Sequence, residues 1–427
     1  MLDIKLIREN EPLVRQKLES RGQSDLLDGL IGLDKRRREL IETSDSLKAK
    51  RNELTKEIAE AGKRGEIVTA LKDQSRAIGQ DINKHDDELK EIETELRSRL
   101  LQIPNLPHDS VPVGRSADEN VVVREWGSPP VFDFEPKDHL ALGRDLGLFD
   151  FERGTKITGS GFPVYKAAGA ILERALVNFF LETHRERGVY TEVSVPFIVN
   201  RDSLTGTGQL PKFEEDLYLC GIDDYFLIPT AEVPITNLHR DEMLQESSLP
   251  LAYCGYTPCF RREAGSYGKD TRGFLRVHQF DKVEMVKFTR PEESYEEHEK
   301  MTADATHLLE LLNIHYRVVL LCSGDMGFGA AKCYDIEIWS PAEKKWLEIS
   351  SCSNFEAFQS RRANIRYRRP DTGKPDFVHT LNGSGLATPR LLVVMLESYQ
   401  NDDGTVSVPD VLKKYTGFSL ITPSGVR

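Results

Sequence analysis

Two runs of residues at heptad spacing constrain the first hundred residues more than any other feature of the sequence. The first run recurs every seven residues and comprises Leu33, Leu40, Leu47, Leu54 and Ala61. The second alternates steps of four and three and comprises Ile78, Ile82, His85, Leu89, Ile92, Leu96 and Arg99. Such spacing is typical of the seam between two packed helices. A small turn containing glycine, at residues 61–66, separates the runs, so the sequence predicts an antiparallel coiled-coil hairpin over about 27–101.

The two predicted helices carry opposite charge. Residues 34–64 contain ten Lys and Arg against seven Asp and Glu, whereas residues 66–101 contain six against nine. Helices of roughly 35 residues reach roughly 50 Å at 1.5 Å per residue, so the hairpin is an arm and not a globule. The basic helix is the better face for RNA. Charges that only solvate the hairpin and pair across it are the alternative that the composition leaves open.

Length and composition place the chain among folded proteins with more than one domain. A chain of 427 residues exceeds what one hydrophobic core usually organises, and 39% hydrophobic with 30% charged residues shows no bias toward disorder. The formal net charge of -12 counts against a generally basic surface, so any surface for nucleic acid must be local.

The N-terminal residues and the spacing of the cysteines bear on the location of the protein and on its metal content. The first residues, MLDIKLIREN, lack the apolar stretch of a signal peptide and the acid-poor character of a transit peptide, which predicts a cytoplasmic location and no membrane partner. The six cysteines are scattered without a Cys-x-x-Cys pair. A structural zinc site and a disulfide framework are therefore not expected.

Prolines after the hairpin mark the boundary of a second domain. The sequence predicts a helical domain over 1–102, an extended linker over 103–130, and a second domain over 131–427. The second domain mixes helices, near 167–187, 292–312 and 389–401, with strands in adjacent pairs, around 225–229, 252–262, 274–288, 314–321, 333–339 and 345–350. This order predicts an α+β fold with an antiparallel sheet flanked by helices. Without a glycine-rich loop of Walker or Rossmann form, P-loop kinases and dehydrogenases are disfavoured.

A predicted β-hairpin with a charged tip, residues 260–284, is the first candidate for chemistry. Because residues two apart on a strand share a face, Arg276, Phe280 and Glu284 are expected on one surface, and Arg261 with Glu263 on one face of the partner strand. The planar fork of an arginine suits phosphate, an aromatic ring stacks on a base, and a carboxylate holds an ammonium group. A solvated surface hairpin is the alternative.

Two further stretches could bind parts of a nucleotide. In HTLNGSGLATPR, residues 379–390, Thr388 is predicted as a helix N-cap and Pro389 as the first helical residue, which puts Arg390 in the first turn, where the helix dipole favours an anion. An ordinary capped core helix with a surface arginine is the alternative.

The third stretch, residues 348–351, ends a predicted strand that starts at Trp346, and the predicted neighbouring strand carries Asp335 and Glu337. Hard oxygen ligands of this kind suit magnesium carried in with a nucleotide. A half-buried strand with polar outward positions is the alternative.

Together these segments resemble the three signature motifs of class II aminoacyl-tRNA synthetases, and over nearly the whole chain they resemble the bacterial-type seryl-tRNA synthetases. Motif 1 resembles the predicted helix ending at Arg187 and the following GVYTEVSVPFIVN, with Pro196 where the family builds its dimer interface; motif 2 resembles the FRRE hairpin and motif 3 GLATPR. Strings similar to the seryl branch are TGTGQLPKF at 205–213, TAE at 230–232, FRREAGSYGKDTRG, RVHQFDKVE, EISSCSNFEAFQSRR and HTLNGSGLA.

The resemblance implies activation of serine by ATP and transfer of the seryl group to the 3′ end of tRNA(Ser), and of tRNA(Sec) where a host makes one. It implies a homodimer and Mg²⁺ accompanying ATP. In this family the N-terminal hairpin grips the long variable arm of the tRNA, which favours the RNA interpretation of the arm.

The resemblance also implies roles for individual residues. The serine pocket would comprise Thr230, Ala231, Glu232, Glu284, Asn382 and Ser384. The ATP site would comprise Arg261, Arg262, Glu263, Arg276, Val277, Phe280, Glu348, Ile349, Ser350, Ser351 and Arg390. Arg261 would contact the α-phosphate, with Arg276 and Arg390 on the outer phosphates. Phe280 would lie under the adenine and Glu263 against its amino group, while Glu348 and Ser351 would hold the magnesium. Arg261 and Arg390 would be catalytic by stabilising phosphate charge.

Four rival interpretations are disfavoured by particular features. Prolyl and threonyl enzymes share the motifs but carry an anticodon-binding domain after motif 3, whereas 37 residues follow Arg390 here. Synthetase-like paralogues that load carrier proteins usually lack the arm or lose motif residues, whereas this sequence retains both. The archaeal variant with a zinc-bound serine site needs a compact Cys/His cluster, and none accompanies the motifs in this sequence. A structural coiled-coil protein would explain the hairpin but not the polar ligands of the second domain.

Overall fold

The computed structural model describes residues 1–264 and 273–427. These residues divide into two compact units, Leu2–Pro104 and Asn105–Arg427 with Met1. Most of the predicted charged loop, residues 264–273, lies outside the described residues. Within the described ranges, none of the helices is both long and apolar enough to cross a membrane.

The first unit is helical and is dominated by the predicted hairpin. Its elements are α1 (Ile4–Glu9), α2 (Glu11–Glu19), a 3-10 turn (Ser24–Leu27), α3 (Leu30–Lys63) and α4 (Thr69–Gln102). Helices α3 and α4 each have 34 residues and pack against each other along their length, which confirms the coiled-coil arm. The chain reverses between them through Gly65, whose φ of 73° suits glycine.

Of the twelve residues of the predicted seam, six are buried, five are half-buried and one is exposed. Its buried members are Leu40, Leu54, Ala61, Ile78, Ile82 and Leu96. Arg99 is wrong, because its side chain is exposed and pairs with Glu95 of the same helix at 2.7 Å. Leu100 is buried in its place. A helix with 3.6 residues per turn drifts away from a strict heptad pattern, so the apolar stripe moves by one residue near the helix end.

Ion pairs link the two helices of the arm. Arg36 contacts Glu88 at 2.6 Å, Arg37 contacts Glu93 at 3.0 Å and Lys48 contacts Asp86 at 3.1 Å. The opposite net charges of the helices therefore serve in part to pair them, as the alternative interpretation proposed. Other cations of α3, Lys50, Arg51 and Lys56, are exposed to solvent.

The second unit combines helices with several sheets. Its helices are α5 (His139–Asp145), α6 (Phe151–Ile157), α7 (Ala168–Glu186), α8 (Arg201–Thr207), α9 (Glu232–Thr236), α10 (Ser294–Leu311), α11 (Phe358–Ala363), α12 (Thr388–Ser398) and α13 (Asp410–Thr416). Its strands are β1 (Val121–Trp126), β2 (Phe149–Asp150), β3 (Val164–Tyr165), β4 (Thr191–Glu192), β5 (Ile198–Asn200), β6 (Leu219–Cys220), β7 (Tyr225–Leu227), β8 (Met243–Leu244), β9 (Leu251–Phe260), β10 (Gln279–Thr289), β11 (Tyr316–Leu320), β12 (Lys332–Ser340), β13 (Lys345–Asn354), β14 (Arg366–Arg368), β15 (Pro375–Phe377), β16 (His379–Ala387), β17 (Val406–Ser407), β18 (Leu420–Thr422) and β19 (Gly425–Val426).

The main sheet is built from eight strands of the described residues in the order β1-β11-β12-β13-β16-β10-β9-β4. Its pairs are antiparallel apart from β4 with β9. Helices α7, α10 and α12 share one core cluster with apolar residues of β10, β12 and β16. The predicted α+β fold with an antiparallel sheet and flanking helices is confirmed.

Two segments differ from the prediction. Residues 103–130 were predicted as a linker, but β1 forms the edge of the main sheet, and from Asn105 onwards the chain lies within the second unit. Residues 379–387 were not predicted as a strand, yet β16 lies in the middle of the sheet. Glycine is a weak strand former, but the packing around β16 leaves no room for a larger side chain at two of its positions. A Cβ on Gly383 would lie 2.7 Å from Cys352 Sγ, and one on Gly385 would lie 2.4 Å from His184 Nε2.

Replacing Gly383 by alanine tests this account of β16. The added methyl group would have to displace the side chain of Cys352, so Gly383→Ala should lower the free energy of unfolding by about 1–3 kcal/mol. Chemical denaturation measures the change. Gly221→Ala is the control, because a Cβ there meets nothing within 4 Å, and it should change stability by no more than about 0.5 kcal/mol. Equal effects of the two substitutions would contradict the packing argument.

Candidate active site

A cavity of ≈ 490 Å³ lies in the second unit, against β10, β13 and β16. Most of the residues proposed for serine and ATP line it: Thr230, Glu232, Arg261, Glu263, Arg276, Val277, Phe280, Glu284, Glu348, Ile349, Ser350, Ser351, Asn382, Ser384 and Arg390. Residues separated by up to 160 positions in the chain therefore meet around one space.

Two of the proposed residues are placed elsewhere. Ala231 is fully buried in a core cluster with Val195 and Ile235. Arg262 is exposed, and its backbone N–H donates to the carbonyl of Asp216 at 3.0 Å. The structure does not bring these two side chains to the cavity.

The pleat of β10 explains how one strand serves both the core and the cavity. Phe280, Lys282 and Glu284 line the cavity, whereas Val283 and Met285 lie in the core cluster. Side chains alternate between the two faces of a strand, so the pattern follows directly from the sequence FDKVEM.

The expectation that Arg261, Glu263 and Arg276 lie on strands is wrong. Strand β9 ends at Phe260 and β10 begins at Gln279, so all three residues belong to the connecting segments beyond the strand ends. Glu263 has a φ of 52°, which regular strands do not adopt. These side chains meet at the cavity through loop geometry and not through a shared strand face.

A buried network forms one end of the cavity. Lys282 Nζ donates to Thr230 Oγ1 at 2.8 Å, and Thr230 Oγ1 donates to Glu284 Oε2 at 2.7 Å. Lys282 and Glu284 also form an ion pair. All three residues are at most 6% exposed. Opposite charges within a closed network are the condition under which buried charged groups are tolerated.

Glu232 lies beside this network and is held by Gln359. Gln359 Nε2 donates to Glu232 Oε1 at 2.6 Å, and Thr380 Oγ1 donates to Gln359 Oε1 at 2.7 Å. Burial, and then the negative charge of Glu284, raise the pKa of Glu232 to about 7. A cation arriving beside this carboxyl would favour its ionised form.

Strand β16 brings Asn382 and Ser384 to the same end of the cavity. Ser384 lies opposite Glu284 in the register of β16 with β10. Asn382 Nδ2 faces Glu232 and is buried without a hydrogen bond of normal geometry to any described residue. Buried amides usually have partners, so this donor is available to a bound ligand.

Aromatic and basic side chains form the other part of the cavity. The guanidinium of Arg261 lies 5.1 Å from the centroid of the Phe280 ring, and Arg261 Nε donates to the carbonyl of Pro229 at 3.3 Å. Arg276 forms an ion pair with Glu263. Binding of a phosphate by Arg276 would require this ion pair to open or to be shared.

Arg390 projects from the first turn of α12, as predicted. Its Nε donates to the carbonyl of Leu275 at 3.0 Å and its Nη1 to the carbonyl of Glu348 at 2.6 Å. The predicted cap is wrong by one residue, because Ala387 is the N-cap and Thr388 is already helical. The hydroxyl of Thr388 is instead buried, within hydrogen-bond distance of the Glu173 carboxyl and of the carbonyl of Asp281.

Oxygen donors lie along the middle of β12 and β13. Glu348 and Ser351 line the cavity, and Asp335 lies opposite Ser351 in the strand register. Burial, and then the charge of Glu348, raise the pKa of Asp335 well above its usual value. Glu337 is placed differently, because it forms an ion pair with Arg317. Among the described residues no group of three or more His, Cys, Asp or Glu side chains could hold a metal ion.

Sequence reasoning missed two side chains of this site. Lys282 was not singled out, although it lies two residues before Glu284 and the alternation of β10 puts both on one face. Gln359 was quoted only within the string EISSCSNFEAFQSRR, and no local pattern relates it to Glu232, 127 positions away. Only the tertiary structure brings that pair together.

Comparison with known proteins relates the chain to one family over its whole length. The family described as seryl-tRNA synthetase N-terminal domain matches residues 1–107, and the tRNA synthetase class II core domain (G, H, P, S and T) matches residues 218–399. The serine–tRNA ligase of Chloroherpeton thalassium is 56% identical over 430 residues, covering 99% of this chain and 100% of that protein.

Two solved structures are similar in fold. The seryl-tRNA synthetase of Pyrococcus horikoshii, complexed with ATP, superposes with a TM-score of 0.93 at 42% identity, covering 99% of this chain and 100% of that chain. The cytoplasmic serine–tRNA ligase of Naegleria fowleri, in complex with AMP, gives a TM-score of 0.88 at 32% identity, with 99% of each chain covered. With two family models and full-length relatives in agreement, the chain belongs to the seryl-tRNA synthetase family.

Proposed function

We propose that this protein is a serine–tRNA ligase whose cavity binds serine and ATP side by side. In the first step the serine carboxylate attacks the α-phosphorus of ATP in line, which forms seryl-adenylate and releases pyrophosphate. In the second step the 3′-terminal hydroxyl of tRNA(Ser) attacks the carbonyl carbon of the adenylate, and AMP leaves. The observation that carries the proposal is the meeting of a carboxylate pocket with three arginines in one cavity.

The proposed serine seat is the network of Thr230, Glu232 and Glu284 with Asn382 and Ser384. Carboxylates suit the ammonium group of serine, and hydrogen-bonding groups suit its hydroxyl. A site built to hydrogen-bond a hydroxyl rejects alanine, because its polar groups would be left unpaired when alanine binds. The Nδ2 of Asn382, which is buried and faces Glu232, supports this assignment.

The proposed ATP site is the basic and aromatic part of the cavity. Phe280 offers a ring face for the adenine, and Arg261 lies next to that ring. Arg390 occupies the first turn of α12, where the helix dipole adds to its positive charge. Catalysis would rest on positioning and on stabilising the charge of the transferring phosphoryl group, and it needs no protein nucleophile.

Magnesium fits the oxygen donors beside this site. Mg²⁺ is usually bound by one or two carboxylates together with substrate phosphates, so a larger protein cage is not needed. Glu348 and Ser351 would hold the ion, with the carboxyl of Asp335 close by. When bound, it would neutralise phosphate charge. The arginines and Phe280 orient the nucleotide by their own contacts.

We also propose that the arm binds tRNA(Ser), and tRNA(Sec) where the host makes one. The match of residues 1–107 to the N-terminal domain of this family supports the role, as do the exposed cations of α3. A homodimer is proposed on similar grounds, because the segment after α7 exposes Val189, Phe197 and Ile198 around Pro196. The cytoplasmic location remains a prediction from the sequence.

Amino-acid-dependent exchange of pyrophosphate into ATP tests the first step. Among the twenty amino acids, serine should support the fastest exchange, and alanine should be slower by about 10⁴-fold or more, since the polar seat would be left unpaired. Exchange with threonine or alanine in the absence of exchange with serine would refute the assignment.

Substitution of Arg390 tests the electrostatic role. Arg390→Ala should lower the kcat of exchange by roughly 10²–10³-fold, the size expected for one donor to a developing anion. Arg368→Ala is the control, because Arg368 is an exposed residue of β14 whose side chain bonds the carbonyl of Gly373. A kcat for Arg390→Ala within threefold of the control would contradict the proposed role.

Removal of the arm separates the two steps. A chain that lacks residues 30–100 should retain serine-dependent exchange, because the cavity lies wholly in the second unit, and should lose aminoacylation of tRNA(Ser). The intact chain in both assays is the reference. Charging at an unchanged rate would show that the arm does not contribute to tRNA binding.

A further inference from the structure

We infer that Lys282 is a positioning residue of the serine seat, where its ammonium group holds Thr230 and Glu284 in place and balances the charge of Glu284 and Glu232. This inference rests on the proposed function, because it assumes that serine binds at these carboxylates. It concerns a side chain that the reaction outlined above does not use.

The contacts of Lys282 support the positioning role. Nζ donates to Thr230 Oγ1 at 2.8 Å and pairs with Glu284, and the Thr230 hydroxyl bonds the same Glu284 oxygen, so three side chains close a ring. Lys282 is 5% exposed and lines the cavity. The bonds to Thr230 and Glu284 hold the long side chain of Lys282 in one position, and loss of its ammonium group would remove a contact from both partners.

Charge balance gives Lys282 a second effect on the seat. Glu232 and Glu284 carry two negative charges when ionised, and Lys282 reduces the total to one, which the ammonium group of serine would match. Burial and the charge of Glu284 raise the pKa of Glu232 to about 7, whereas Lys282 lowers it. The neighbouring thiol of Cys259 stays neutral, because burial raises its pKa.

The same strand offers a lysine with a purely structural ion pair. Lys287 lies five residues further along β10 and hence on the opposite face. It is 1% exposed, and its Nζ contacts Glu297 Oε2 of α10 at 2.8 Å. Lys287 is not among the residues that line the cavity. Its substitution would break a buried pair of similar geometry without touching the seat.

The experiment compares Lys282→Met, Lys282→Gln, Lys282→Arg and Lys287→Met in the full-length chain. Pyrophosphate exchange is normalised to the concentration of active sites, and KM is measured for serine and for ATP between pH 6 and pH 8.5. Normalisation restricts the readout to folded molecules. Lys282→Gln keeps a donor for Thr230 but removes the charge, so it provides a second neutral variant if Lys282→Met folds poorly.

We expect both neutral variants to raise the KM for serine by about ninefold at pH 6 and by about fivefold at pH 7, the effect of raising the pKa of Glu232 from about 7 by one unit. Binding of the ammonium group requires the ionised carboxyl, so this increase should shrink as the pH rises toward 8.5. The KM for ATP should change by less than about twofold. Lys282→Arg should restore most of the serine affinity, and Lys287→Met should leave the KM for serine and its pH profile unchanged.

Three results would overturn the inference: a KM for serine within twofold of the parent chain in both neutral variants, an increase that does not vary with pH, or an equal increase in Lys287→Met. Failure of the proposed function has a different signature, because the unsubstituted chain would then show no serine-dependent exchange. The two hypotheses are thus tested separately.

Discussion

The pairing of β16 between β10 and β13 is the constraint on which the rest of the cavity depends. Its register sets Ser384 opposite Glu284 and Asn382 opposite Ser353, so three distant segments contribute to one site. The pairing is close enough that Gly383 has no room for a side chain. A weak strand former therefore lies at the centre of the sheet, because contacts on both sides compensate for its low propensity.

Much of the architecture was readable from the sequence, and the failures have physical causes. The heptads predicted the arm, and α7, α10 and α12 lie within about three residues of their predicted ends. Strand β16 was missed because its glycines are selected by neighbouring side chains that are remote in sequence. The cavity residues were named through family resemblance, and the local argument from strand faces failed for Arg261 and Arg276, which lie beyond the strand ends.

Charges in the cavity are arranged in opposed pairs before any ligand arrives. Lys282 pairs with Glu284, Arg276 with Glu263, and Arg390 lies 3.6 Å from Glu348. An unpaired buried charge is costly, and the pairing of Lys282 with Glu284 offsets the cost of burying both of them. When a charged ligand binds, a cavity side chain would exchange its present partner for the ligand. This exchange costs less free energy than desolvating an isolated charge.

Two buried polar residues of α3 are bonded to neighbouring helices, and the bond of Ser44 across the seam fixes how α3 and α4 align. Ser44 donates to Asp86 at 2.7 Å across the hairpin, and buried Asp34 accepts from Arg8 at 2.9 Å. Sliding α3 along α4 by one heptad would keep leucines in contact but would separate Ser44 from Asp86 and the cross-helix ion pairs from their partners. Polar groups in a seam select a single register in this way. The hairpin therefore keeps one alignment of its two helices from base to turn.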